Sequence, residues 1–195
     1  MNDRDLYQPI LGVVAPWEVT DIRLSFADRS VTVVVGHGAE KPMACAVCGV
    51  LYGVYDHRPR RWRHLDTCQL QTVIEASVPR VSYAEHGVLH VRVPWAEESS
   101  KFTALFESMV IAWLQAADIS AVSDLIGLTW NEVDGIQLRS VNRGLAHRRA
   151  TPVAHVAIDE TSFQKRHEYM FVITDREHGV VLEVLKNRTT EHISS

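Results

Sequence analysis

Residues 121–136 read AVSDLIGLTWNEVDGI, and the organisation of the chain turns on them. Val122, Ile126, Leu128, Val133 and Ile136 are apolar at the positions where two short helices joined by a tight turn pack inward. Ser123 is small where such helices cross, and Gly127 stands at the turn. Thr129 followed by Glu132 is a capping box, so a helix opens there. Trp130, Asn131, Asp134 and Gln137 then face outward from its N-terminal half, the part of a recognition helix that reaches base edges. Arg139, Arg143, Arg148 and Arg149 follow and are expected to meet phosphates, which give affinity without sequence choice. Asp134 weighs the other way, because an exposed acid near phosphates is unfavourable. An ordinary three-helix bundle with a solvated basic face has the same apolar pattern.

Upstream, SSKFTALFESMVIAWLQAADIS places Phe102, Leu105, Phe106, Met109, Val110, Trp113 and Leu114 at helical spacing, with Ser99 or Ser100 as the cap. A shorter helix runs from about Ser120 to Ile126. The helix opened by Thr129 runs towards Arg143 or Gly144. Residues 96–150 are therefore expected to form a three-helix helix-turn-helix domain.

Before residue 96 the period is two. Val19 to Phe26 alternates, with Ile22, Leu24 and Phe26 on one face, and Val31, Val33 and Val35 continue after the turn. Leu70, Thr72, Ile74 and Ala76 form a further strand, for which Pro79 marks an end. Leu89 to Val93 is a short strand stopped by Pro94. Residues 1–95 read as a small β-rich module of the kind that uses a metal staple. Cys45-Ala-Val-Cys48-Gly is half of a zinc knuckle, two thiolates from one tight turn. The remaining ligands come from Tyr83-Ala-Glu-His86-Gly, which offers His86, or from His64-Leu-Asp-Thr-Cys68. An unmetallated thiol pair is the plainer alternative.

The whole composition bounds the rest. The chain has 195 residues, is 46% hydrophobic and 23% charged, and carries a formal net charge of -4, which supports globular cores and does not by itself suggest a nucleic-acid partner. The basic residues are local instead, in RPRRWRH (58–64) and LRSVNRGLAHRR (138–149). Each alone reads as a solvated surface, and their place beside the helix-turn-helix adds phosphate contact as a second reading. No apolar run reaches the length of a membrane span, and the polar, acidic MNDRDLYQ is not a secretory signal. Three cysteines, two of them in one CxxC, favour a reducing, cytoplasmic setting.

From Pro152 the strand period returns, over Val153 to Ile158, Tyr169 to Thr174 and Val180 to Leu185. The first of these reads as a buried strand stopping on Asp159. A carboxylate at the end of a central strand beside a meander is how a ribonuclease-H-like nuclease places its first metal ligand. The order of modules resembles that of insertion-sequence transposases of the ISL-three type. It is a CxxCG knuckle, then VPRV…EHGVLHVRVPW, then the helix-turn-helix, then AIDETSFQKRHEYMFVITD…VLEVLKNRT. The resemblance covers nearly the whole chain, and the IDE-S-F-K-H-Y run is its most specific part. It implies an α+β multidomain fold: a zinc-ribbon-like module, a three-helix helix-turn-helix, and in 151–195 the first three strands of a ribonuclease-H-like DDE domain. It implies zinc at Cys45, Cys48 and His86, and Mg²⁺ with Asp159 as first ligand and first acid of the DDE triad. The implied partner is double-stranded DNA at transposon inverted repeats, together with self or full-length transposase.

Two departures stand out. Tyr83 occupies a place where the family usually has cysteine, and Arg166 precedes His167 where it usually has glycine. The second Asp and the final Glu of the triad lie further downstream in relatives than Ser195. The resemblance therefore implies a truncated transposase that binds DNA and is inactive alone. Two other readings remain at this level: a helix-turn-helix transcription regulator with a C-terminal β module, and a small Mg²⁺-dependent nuclease using Asp159, Glu160 and Asp175.

Overall fold

The computed structural model describes residues 3–38, 43–44, 47–83, 87–148, 152–164 and 168–186. The chain divides into two compact units, Met1–Arg143 and Gly144–Ser195. In the first unit a short helix, α1 (Asp3–Ile10), precedes the hairpin β1 (Trp17–Ser25) and β2 (Ser30–His37). The short pair β3 (Met43–Ala44) and β4 (Leu51–Tyr52) follows, then β5 (Val54–Arg63), the long β6 (Gln71–Tyr83) and β7 (Gly87–His90). The helices are α2 (Ala104–Leu114), α3 (Ile119–Ile126) and α4 (Trp130–Ala146).

The main sheet has the order β1-β2-β6-β5, with β7 also on β6. β2 and β6 are parallel, with Val31 opposite Thr72 and Val35 opposite Ala76; the other pairs are antiparallel. Val31, Val33 and Val35 are buried as their alternation requires, against Ile74, Ala76, Val78 and Trp62. Trp95 meets Trp17 and Trp62 edge-on, at 5.1 Å and 5.5 Å between ring centroids. β1 departs from its simple period. A bulge between Val19 and Asp21 shifts the register, and Leu24 and Phe26 end up exposed.

Pro79 does not end a strand. β6 runs through it, with Pro79 opposite His57 of β5. The Val91 N–H donates to the Pro79 carbonyl at 3.0 Å, so that carbonyl points to the β7 side. In a strand the nitrogen of the same residue points that way too, and the missing N–H leaves the β5 ladder whole. Nor is α2 capped by Ser99 or Ser100. Thr103 is its N-cap, accepting from Phe106 N–H at 3.3 Å. Ser100 Oγ instead donates to Glu107 at 2.8 Å.

The β-module and the helices meet in a hydrogen-bonded seam. Arg63 N–H donates to Lys101 O at 2.9 Å, and Thr103 N–H to Arg63 O at 3.0 Å. His64, 4% exposed, sits in this seam with Nδ1 2.9 Å from Thr103 Oγ1. Burial, and secondarily the charge of Arg63, lower its pKa to about 4. The ring is neutral at pH 7, and Nδ1 shares a hydrogen bond with the Thr103 hydroxyl while the same oxygen caps α2.

The second unit is an antiparallel meander of β8 (Val156–Gln164), β9 (Glu168–Asp175) and β10 (Val180–Lys186), in the order β10-β9-β8. β8 neither stops at Asp159 nor is buried before it. The strand continues to Gln164, and Ile158 is 61% exposed. Among the described residues no helix is long and apolar enough to cross a membrane.

Candidate nucleic-acid interface

α3 and α4 are held by the residues their sequence marks. Asp118 caps α3, accepting from Ala121 N–H at 2.8 Å. Gly127 turns the chain at φ 67°, and Leu128 N–H reaches back to Ser123 O at 3.1 Å. Glu132 accepts from Thr129 N–H at 2.9 Å, and Thr129 Oγ1 accepts from Glu132 N–H at 3.3 Å. The box is closed in both directions, worth about 1 kcal/mol. The Thr129 N–H, and then the Thr129 hydroxyl, which donates to the same carboxylate at 2.8 Å, hold the Glu132 carboxyl below its ordinary pKa. Val122, Val133 and Ile136 are fully buried and Ser123 nearly so.

That packing turns one face of α4 outward. Trp130 is 50% exposed, and Asn131 and Gln137 are exposed with it; Asp134 is half-buried. Arg148 is exposed and donates from Nη1 to Leu182 O at 2.9 Å. Arg149 lies outside the described residues. Arg139 and Arg143 take a different place from the phosphate-facing one expected of them. Arg139 donates to Glu107 Oε1 from Nε at 3.0 Å and from Nη2 at 2.6 Å. Arg143 Nη1 reaches Glu107 Oε2 at 3.2 Å and Glu97 at 2.6 Å. The Glu107 side chain is 2% exposed. A buried carboxylate needs such donors, and here three of them come from two arginines of α4. The network therefore fixes α4 against α2.

The sequence carried a signal for this. Glu107 is a lone acid on the apolar stripe of α2, between Phe106 and Val110. Arg139 and Arg143 fall three and seven residues after buried Ile136, on the inward face of α4.

The cysteine knuckle lies between β3 and β4, where Met43 pairs with Tyr52 and Ala44 with Leu51. Cys48 is exposed on the turn, and Gly49 follows at φ 73°. β4 packs beside β6, where Tyr83 pairs with Gly87, φ 69°, of β7. Cys45 and His86 lie outside the described residues. Two thiolates at CxxC spacing suit zinc in donor softness. The alternative ligand His64 is committed to Thr103, and Cys68 is exposed at φ 51°.

Comparison with known proteins agrees with both halves of this geometry. Residues 41–86 match the zinc-finger of transposase IS204/IS1001/IS1096/IS1165. Residues 91–141 match the helix-turn-helix domain of transposase family ISL3. The chain carries the zinc-ribbon and helix-turn-helix domains of an ISL3-family transposase. It is also 30% identical over 193 residues to the transposase for insertion sequence element IS1557, in two strains of Mycobacterium tuberculosis. That match covers 92% of this chain and 42% of the relative, so the chain spans less than half the length of these relatives. No solved structure matches it.

Beyond the matched domains, Asp159 lies mid-strand in β8, opposite Val172, and Glu160 is opposite Phe171. Neighbours on a strand face opposite ways, so Glu160 takes the other face of the sheet. Asp175 lies opposite Val156, three residues beyond Val172, again on the face away from Asp159. Its carboxylate is spent on the β9–β10 turn. Oδ1 accepts from Glu177 N–H at 2.9 Å, and Oδ2 bonds the His178 ring at 2.7 Å. The His178 bond holds the Asp175 carboxyl below its usual pKa. The structure thus does not gather Asp159, Glu160 and Asp175 into one site.

Proposed function

We propose that this chain supplies the end-recognition part of an insertion-sequence transposase, binding double-stranded DNA at terminal inverted repeats. The observation that carries the reading is α4. Its N-terminal half presents Trp130, Asn131 and Gln137 to solvent while its other face is locked by Val133, Ile136 and the Glu107 ion pairs. A rigid helix with exposed amides is what major-groove reading requires, since Asn and Gln match the paired donor and acceptor of adenine. Arg148 and Arg149 follow as phosphate contacts. Arg139 and Arg143 act one step back, positioning the helix.

Zinc would be held by Cys45, Cys48 and His86 and would tie the two hairpin turns of the β-module together. Mg²⁺ chemistry in a ribonuclease-H-like DDE domain would use Asp159 as its first ligand, with further carboxylates on the same face. Bound metal would stabilise the attacking and leaving oxygens of strand transfer. Self-association, or association with a full-length transposase, would bring two ends together. Footprinting on inverted-repeat duplexes tests the reading. Protection centred on the repeat, lost in Asn131→Ala/Gln137→Ala and kept in Asp159→Ala, is expected. Uniform protection of unrelated DNA by wild type and variants alike would overturn it.

A further inference from the structure

The sheet holds a second cationic surface that the helix-turn-helix does not use. Trp62 of β5 is fully buried, so Arg60 and Arg58, two and four residues before it, share its face. Arg60 lies over the Trp62 ring at 5.0 Å and donates to Ser100 O at 3.2 Å. Arg80 of β6 grips Asp56 with Nε at 2.6 Å and with Nη2. Arg58 is 59% exposed, and Asp56 is 3.9 Å from it. His90 of β7 pairs with Arg80, and it lines a small concavity with Arg60 and Arg92 whose rim includes Glu97 and Glu98. Burial first, then the charges of Arg60, Arg80 and Arg58, disfavour protonation of His90, with Asp56 opposing them.

The field here is therefore positive. Glu97 is turned to Arg143, which leaves Asp56 and Glu98 to balance Arg58, Arg60, Arg80 and Arg92. The opposite face of the sheet differs. There Arg61 meets Glu75 at 3.1 Å, and Arg23 meets both Glu75 and Asp21, so the charges match.

We propose that Arg58, Arg60 and Arg92, beside the Arg80–Asp56 pair, form a second contact surface for the phosphodiester backbone of duplex DNA. The proposal rests on the reading of α4 as a DNA reader. Guanidinium groups suit phosphate because their planar forks bind its oxygens in pairs. Arg60 is already oriented by the Trp62 ring, so little of its side-chain freedom is lost on contact, and Arg80 holds Asp56, which reduces the repulsion of an approaching phosphate. Arg58 and Arg92 are exposed, and no group in the cluster is an amide placed to read bases. This surface should give affinity without sequence choice.

The test is fluorescence anisotropy of the full chain on a random-sequence duplex and on an inverted-repeat duplex across a salt series. Arg58→Gln/Arg92→Gln should lower the salt slope by about two and weaken binding to both duplexes by roughly tenfold or more. Arg23→Gln/Arg61→Gln, which removes equal charge from the balanced face, should change neither. The single variants Arg58→Gln and Arg92→Gln should each lower the slope by about one, which keeps the test open if the double variant folds poorly. An unchanged slope in the double variant, or an equal fall in the Arg23/Arg61 control, overturns the surface. If Asn131→Ala/Gln137→Ala alters preference while the sheet variants do nothing, this inference fails and the α4 reading stands. If only the sheet variants act, the surface stands and the α4 reading falls.

Discussion

The two units differ in whether their apolar side chains build a buried core. In residues 1–143 they close into two buried clusters, one around Trp62, Val33 and Ile74, the other around Phe106, Val110, Val122, Val133 and Ile136. In the second unit, Val156 and Ile158 of β8 are 53% and 61% exposed, and Val180, Val181 and Val184 of β10 are about half exposed. A three-stranded meander cannot cover its own faces. The first unit carries its own cover, whereas these strands of the second stay exposed among the described residues. The proposed base-reading residues Trp130, Asn131 and Gln137 belong to the first unit. The carboxylate expected to do chemistry belongs to the open one.

Truncation should show the contrast most strongly. Trp62→Ala should cost about 4 kcal/mol, whereas Ile158→Ala should stay within about 0.5 kcal/mol. Chemical denaturation of both variants measures this, and equal losses would break the comparison. Limited proteolysis sharpens it: cleavage should begin beyond Arg143 and leave a resistant fragment of the first unit.

Arg139→Ala comes next. It removes two donors from buried Glu107 and should destabilise by roughly 3 kcal/mol. A purely phosphate-facing arginine would leave the melting temperature unchanged and affect only DNA binding.

The His64 seam should respond to pH on a similar scale. Its folded pKa of about 4 lies below the ordinary value of 6.5, so the unfolded chain binds the proton more readily. Stability is fully present above about pH 6.5 and falls as pH drops towards 4, by about 3 kcal/mol in total. His64→Leu should flatten stability across that window, as read by denaturant midpoints at several pH values.

These effects also mark what could be read from the sequence. The helix-turn-helix was legible because Ser123, Gly127 and the Thr129–Glu132 box each impose a local geometry that no distant contact has to supply. β5 was not, because Arg58-Pro59-Arg60-Arg61 has no apolar alternation and becomes a strand by pairing with β6. α1 was missed for a similar reason. It is short, contains Pro9, and is tied by Gln8, which donates to Val13 O and accepts from Val19 N–H, each at 2.7 Å. Pro79 misled because a ladder donor was expected to be needed at its position, although the absent donor faces away from the β5 ladder. Arg139 and Arg143 misled because basic residues on a recognition helix suggest phosphate. Their commitment to Glu107 depends on a partner on another helix.

The central claim is that α4 chooses sequence through exposed amides on a rigid helix. The most direct test is the affinity ratio of an inverted-repeat duplex to a scrambled duplex, measured by competition for wild type and for Asn131→Ala/Gln137→Ala. The account predicts that the ratio falls by about tenfold or more while affinity for the scrambled duplex barely changes. An unchanged ratio, with both affinities falling together, would contradict it.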